Sequence, residues 1–303
     1  MPTSPPPSGP AVCAACGGSD LRPHLRVAGA AGPEGLTPTT DRFGTALSDI
    51  VRCPGCGHMQ LDRLPSEAEL AAAYAAAEAA EYLEEEAGQR ATARAVLEPL
   101  ERQVEGRRLL DVGAWVGFLL AEARERGWSV RGIEPSDFAS AHALERLGLD
   151  VATGDLSTAE LPVGGFDAVV LGDVIEHLPD PGAALDRIRE LLAPRGVVCL
   201  MAPDAGSALA RALGARWWSV IPTHVHYFTR GSLRTLLARH GFAVVAVDTQ
   251  PKAFSVRYYL SRVGGYSRTT GRMLVRAAER LGLADRMWAP DFRDRMLVVA
   301  RRR

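Results

Sequence analysis

The run Leu109-Leu110-Asp111-Val112-Gly113-Ala114-Trp115-Val116-Gly117-Phe118-Leu119-Leu120 decides the fold class. Its first four residues predict a buried strand, its two glycines a tight turn, and Phe118-Leu119-Leu120 the opening of a helix near 117–127. A glycine turn between strand and helix lets backbone amides approach a ligand, and open α/β sheets bind ligands at the carboxyl ends of their strands. Downstream the pattern repeats. Ser129–Ile133, Asp150–Thr153, Ala168–Gly172, Val197–Ala202 and Ala243–Asp248 read as buried strands, separated by helical stretches near 136–147, 181–193 and 230–240. Such alternation predicts a doubly wound parallel α/β sheet. Residues 253–290 read as helical, and Met296-Leu297-Val298-Val299-Ala300 closes the chain as a further strand.

Two acids stand at strand ends where a nucleotide could be held. The second strand runs Val130-Arg131-Gly132-Ile133-Glu134, which puts a carboxylate where it can accept hydrogen bonds from ribose hydroxyls, and the third ends in Thr153-Gly154-Asp155. A nicotinamide fingerprint, G-x-G-x-x-G, is absent, because three non-glycines separate Gly113 from Gly117. With Asp111-Val112-Gly113, Glu134, Asp155, Phe166-Asp167-Ala168-Val169-Val170, the loop Asp173-Val174-Ile175-Glu176-His177-Leu178-Pro179-Asp180-Pro181 and Leu192-Ala193-Pro194-Arg195-Gly196 in that order, residues 90–250 and the closing strand resemble the class I S-adenosylmethionine-dependent methyltransferases.

The resemblance implies a Rossmann-like sheet of seven strands with the last antiparallel, and S-adenosylmethionine as cofactor. It implies that Asp111 and Gly113 hold the methionine end, Glu134 the ribose and Asp155 the adenine, with Gly117 completing the loop and Asp173 lining the methyl-transfer pocket. The family commonly has G-x-G-x-G in this loop; Trp115 stands at the middle glycine, so its side chain must point away from the cofactor or pack on it. A non-catalytic relative that only binds the cofactor is the alternative this substitution keeps open.

Beyond the fourth and fifth strands lies Trp217-Trp218-Ser219-Val220-Ile221-Pro222-Thr223-His224-Val225-His226-Tyr227-Phe228-Thr229, rich in groups that stack on a substrate or take its proton. It is similar to the E-H-x-x-Y-F stretch of zinc-ribbon sugar methyltransferases, which implies His224 as base, although Thr223 replaces the acid. His226 and Tyr227 are further catalytic candidates, and alternation in an extended segment would send both imidazoles to one side. Glu176 and His177 are read chiefly as shaping the pocket. Those sugar C-methyltransferases carry a further C-terminal domain that this chain lacks, so the expectation stays with a sugar or other small acceptor and leaves O-, C- and N-methylation open.

Upstream, Cys13/Cys16 and Cys53/Cys56 form two C-x2-C pairs beside turn glycines, the donor set of a closed structural zinc site, with a disulfide as the alternative. Together with the methyltransferase motifs they make the chain similar to methyltransferases with an N-terminal zinc ribbon. His58 reads as a bystander and Cys199 as core. Ser66-Glu67-Ala68-Glu69 starts an Ala/Glu-rich stretch of two helices, about 66–80 and 85–104, with a kink or break expected at Pro99. The resemblance implies Tyr74 and Tyr82 there as a lid over the cofactor, with buried packing as the alternative and the expected role of at least one. The expected division is a disordered tail at 1–10, a zinc ribbon at 11–62, a helical linker at 63–105 and the methyltransferase domain at 106–303, whose insertion at 253–290 offers a cap or a homodimer face.

Composition narrows the partners. Among 303 residues, 35 basic and 36 acidic side chains give a net charge of -1, which with Leu171-Gly172-Asp173-Val174 in place of [DN]-P-P-[YF] favours a small molecule over RNA. All basic residues but Lys252 are arginine. Neither a signal sequence nor a membrane-length apolar run is present, so a cytoplasmic, non-membrane protein is expected.

Overall fold

In the computed structural model, residues 12–29, 43–66, 69–70 and 83–303 are described. The first ten residues, Tyr74, Tyr82 and most of the expected helix at 66–80 lie outside them. Its start does not: the Ser66 and Glu69 side chains each accept the other residue's backbone N–H, at 2.8 and 3.2 Å, which closes the expected capping box.

The strands are β1 (Arg22–Leu25), β2 (Ala28–Gly29), β3 (Thr45–Ala46), β4 (Ile50–Arg52), β5 (Met59–Leu61), β6 (Arg108–Val112), β7 (Ser129–Glu134), β8 (Val151–Thr153), β9 (Phe166–Gly172), β10 (Leu192–Pro203), β11 (His226–Tyr227), β12 (Phe242–Thr249), β13 (Phe254–Ser255), β14 (Met287–Trp288) and β15 (Arg295–Arg302). The helices are α1 (Glu86–Glu101), α2 (Phe118–Glu125), α3 (Asp137–Leu147), α4 (Pro181–Leu191), α5 (Ala208–Leu213), α6 (Arg230–Arg239), α7 (Val256–Arg262) and α8 (Arg268–Arg280).

Seven strands form the main sheet in the order β8-β7-β6-β9-β10-β15-β12. β6 to β10 run parallel, and β15 is antiparallel to both its neighbours. Both faces are covered, as the near-continuous apolar strands require. Leu110, Val112, Val169, Leu171, Val198 and Leu200 pack on one side with Leu185, Ile188, Leu233 and Leu236 of α4 and α6. Leu109, Val170, Val197 and Cys199 face the other, against Val96, Leu97 and Leu100 of α1 and Leu120 of α2. Cys199 is a core residue, as expected. The chain leaves β6 toward β7 and β8, then returns to β9 on the opposite side of β6. This reversal opens a crevice at the carboxyl ends of β6 and β9.

Two local expectations are corrected. α1 passes through Pro99 to Glu101 without a break, because the proline sits in the last turn and Val96, Leu97 and Leu100 are buried around it. The segment 253–290 is not helical throughout: its ends pair as the antiparallel ladder β13–β14, where Phe254 lies opposite Trp288 and aromatic side chains favour extended backbone. That segment docks on α1, with the Ser255 N–H and hydroxyl donating to Glu85 at 2.8 and 2.6 Å. Among the described residues, no helix is long and apolar enough to cross a membrane.

Candidate active site

The loop after β6 is tied down by the N–H groups of Gly113 and Ala114, which both donate to the Ile133 carbonyl of β7, at 2.9 and 3.0 Å. Gly113 has φ +72°, and a Cβ there would stand 2.6 Å from Val174 Cγ2, so the turn accepts only glycine. Trp115 also adopts a left-handed backbone, φ 49°, an unfavourable conformation for a residue with a side chain. Its N–H donates to Glu134 Oε2 at 2.8 Å, and its indole packs against the Val116, Phe118 and Ala139 cluster rather than standing free. The Ser136 N–H meets the other oxygen of Glu134 at 2.9 Å. Two backbone donors thus aim the carboxylate while each oxygen keeps a second lone pair.

Asp111, one strand away, is only 4% exposed, and no donor among the described residues reaches its carboxyl. Burial, with the Glu134 charge as the second cause, pushes it up to about 8. Burial likewise raises Glu134 against its two backbone hydrogen bonds. Two buried acids without a cation between them fit a ligand that brings an ammonium, a sulfonium and ribose hydroxyls, as S-adenosylmethionine does. Asp155 differs: it is exposed, and its Oδ1 accepts from the N–H and hydroxyl groups of Ser157 and Thr158. These bonds outweigh its desolvation and hold it below the usual carboxylate range. Oδ2 carries none of them.

On the far side of the crevice, Asp173 follows β9 with φ 58° and bridges Lys252 and Arg295. The loop behind it is sewn to the histidine segment, because the N–H groups of Val225 and His226 both donate to the Glu176 carbonyl at 3.0 Å. The pairing brings Glu176, His177 and His224 together, each offering a donor atom within 4.8 Å of the others. His177 Nδ1 donates to the Thr223 carbonyl at 2.8 Å and His224 Nδ1 to Ser219 at 2.7 Å. Burial lowers both rings, His177 to about 4 and His224 well below the ordinary value, so both are neutral. Among the described residues, no other group donates to a Glu176 oxygen, and burial with the Asp173 charge raises this acid to about 8 against its own backbone N–H. The Tyr227 hydroxyl is buried and has no hydrogen-bond partner among the described residues, its ring 6.3 Å from that of His224.

The two expected histidines do not share a side. A turn at 222–223 precedes His224, and extended backbone begins only at His226. The His226 ring instead lies 3.2 Å from His58 Nε2 through Nδ1 and 3.4 Å from the Pro179 carbonyl through Nε2. It is a joint between two parts of the chain, with both nitrogens committed.

A family model described as "Methyltransferase domain" matches residues 81–247, more than half of the chain. The chain belongs to this methyltransferase family. Curated relatives include ubiquinone biosynthesis O-methyltransferases. That of Alkalilimnicola ehrlichii is 35% identical over 133 residues, 41% of this chain and 53% of that protein; that of Caulobacter vibrioides is 38% identical over 102 residues, 31% and 40%. This methyltransferase chain therefore spans about half the length of the curated relatives it matches. Among solved structures it is similar to a SAM-dependent methyltransferase, possible histamine N-methyltransferase, from Thermotoga maritima: 17% identity, TM-score 0.48, 72% of this chain and 90% of that one.

The cysteine pairs also converge. Cys13 and Cys56 sulfurs lie 3.5 Å apart, Cys16 and Cys53 3.6 Å, and all four within 4.8 Å. All are free thiols, and a tetrahedral zinc site with Zn–S near 2.3 Å has edges of about 3.8 Å. The fit to zinc is good. Each knuckle repeats one pattern: the Cys13 and Cys53 backbone carbonyls accept from the N–H groups of Gly17 and Gly57, whose φ values are +75° and +76°. His58 is fully buried and turned toward His226, outside the sulfur cluster. The ribbon sheet has the order β1-β4-β5-β11, so its last strand carries His226 and Tyr227. Sequence reading missed this strand, and it missed Lys252 and Arg295; the isolation of Lys252 as the sole lysine was the one available signal.

Proposed function

We propose that this chain is an S-adenosylmethionine-dependent methyltransferase that acts on a small-molecule acceptor, with oxygen as the acceptor atom. The observation that carries the reading is the pair of buried carboxylates, Asp111 and Glu134, on adjacent strands at the crevice where strand order reverses. Asp111 would take the ammonium of the methionine end and Glu134 the ribose hydroxyls, with Gly113 and Gly117 giving the loop its turn, Trp115 presenting its N–H to Glu134, and Asp155 offering Oδ2 to the adenine amino group. S-adenosylmethionine supplies an electrophilic methyl group on a sulfonium sulfur. Asp173, ion-paired with Lys252 and Arg295, lines the pocket between cofactor and acceptor. His224, with Glu176, His177 and Tyr227, forms the acceptor end, and its neutral ring avoids placing a positive charge beside the sulfonium. The acceptor oxygen gives its proton to His224 Nε2 and bonds to the methyl carbon as the carbon–sulfur bond breaks, the electron pair staying on sulfur.

Oxygen is favoured by the O-methyltransferase relatives and by a pocket end made of imidazole and carboxyl groups. The division into a ribbon at 11–62, a linker at 63–105 and a domain at 106–303 belongs to the same reading, with four cysteines holding structural zinc and β11 lent by the domain to the ribbon sheet. The test is calorimetric titration with S-adenosylhomocysteine. The intact chain is expected to bind it, and Glu134→Ala to weaken binding roughly 10–100-fold, the loss of hydrogen bonds to a charged acceptor. Absence of binding by folded, zinc-loaded protein would favour the non-catalytic relative.

A further inference from the structure

We infer that Glu176, His177 and His224 form a second metal site, distinct from the four cysteines, that takes a divalent cation of the zinc and manganese class. Three observations meet there. The donor atoms come from two segments 47 residues apart and stand within 4.8 Å of one another. The Glu176 carboxyl is buried, and no other described residue donates a hydrogen bond to either of its oxygens, which leaves lone pairs open for an occupant. The nearby cations Lys252 and Arg295 do not fill that role, because both are engaged by Asp173.

The histidines are prepared as ligands. A backbone carbonyl can only accept, so the contacts from Nδ1 to the Thr223 and Ser219 carbonyls place the ring proton on Nδ1 and the lone pair on Nε2 in both residues. Ligating histidines are held this way in metal sites, where the outer hydrogen bond sets both the tautomer and the ring direction. The frame is rigid, since Val225 and His226 both bond the Glu176 carbonyl. Two imidazoles and a carboxylate suit zinc, manganese or ferrous iron, whereas the four thiolates of the ribbon suit zinc. Three protein ligands leave coordination positions open, the arrangement of catalytic sites rather than structural ones.

The use of such a cation rests on the methyl-transfer reading, but its binding does not. An acceptor hydroxyl placed against it would become more acidic. His224 would then serve as ligand, and the proton would leave to solvent instead of to the imidazole.

The probe is Mn2+, which competes poorly for thiolates. Full-length, zinc-loaded protein is titrated with Mn2+, and the free ion is followed by its EPR signal. We expect one Mn2+ bound per chain, weakened about tenfold or more in Glu176→Gln and in His224→Ala, with zinc content and S-adenosylhomocysteine binding retained. Pulsed EPR of the wild-type complex is expected to show nitrogen coupling from coordinated imidazole, a readout that needs no variant to fold. Failure of the wild type to bind Mn2+, absence of nitrogen coupling, or unchanged affinity in both folded variants would each overturn the inference. S-adenosylhomocysteine binding on the same samples reports separately on the methyltransferase reading.

Discussion

Asp111→Asn should flatten the fall in stability that the ligand-free protein suffers as pH rises. An aspartate ordinarily titrates near 3.8, and burial beside Glu134 moves Asp111 to about 8. The folded state therefore holds a proton that the unfolded chain has released throughout the interval between these values. A raised folded pKa means that the stabilisation is complete below 3.8 and is lost progressively as pH climbs toward 8. One proton difference is worth about 1.4 kcal/mol per pH unit, so the accumulated loss at pH 7 is on the order of 4 kcal/mol. Asparagine keeps the shape and never ionises. Urea unfolding of both proteins between pH 5 and 8 should show wild-type stability falling more steeply, by up to about 1.4 kcal/mol per unit. Calorimetry in buffers of different ionisation enthalpy should also show proton release when wild type binds S-adenosylmethionine at pH 7, because the ligand's ammonium favours the ionised carboxyl, and none from Asp111→Asn. Parallel stability profiles for the two proteins would refute the argument, since they would mean that Asp111 is already charged and partnered.

Gly113→Ala should lose about 1–3 kcal/mol in chemical unfolding, from a left-handed backbone and a Cβ 2.6 Å from Val174 Cγ2, and a second change, Val174→Ala, should recover the part due to the clash. Metal analysis should find zinc on the four cysteines, and Cys53→Ser should lower that content. Limited proteolysis of this variant should cut within 12–61 while 106–303 resists, because the ribbon holds few strands and little core of its own, whereas the seven-stranded sheet is covered on both faces. Equal resistance of both regions in the zinc-depleted variant would count against a metal-held ribbon.

The amino-acid sequence alone determined what local pattern encodes. Apolar runs such as Val197-Val198-Cys199-Leu200-Met201 are buried on both faces whatever lies far away in the chain, so the order of strands and helices could be read before any contact was known. The two C-x2-C knuckles and the acids at the ends of β6 and β7 were legible for the same reason, since the turn that presents each group is written within a few residues of it. Tertiary structure decided the rest. The pairing of β5 with β11 makes the zinc ribbon continuous with the histidine segment, although 164 residues separate Leu61 from His226 and nothing near either announces the other. That pairing, with the turn at 222–223, sends His226 to His58 and leaves His224 with Glu176 and His177. Lys252 and Arg295 reach Asp173 only because β15 lies beside β10 and β12 beside β15 in the sheet, a consequence of the chain's path. Periodicity reports which face of an element is buried; which distant side chain shares that burial depends on how the elements dock.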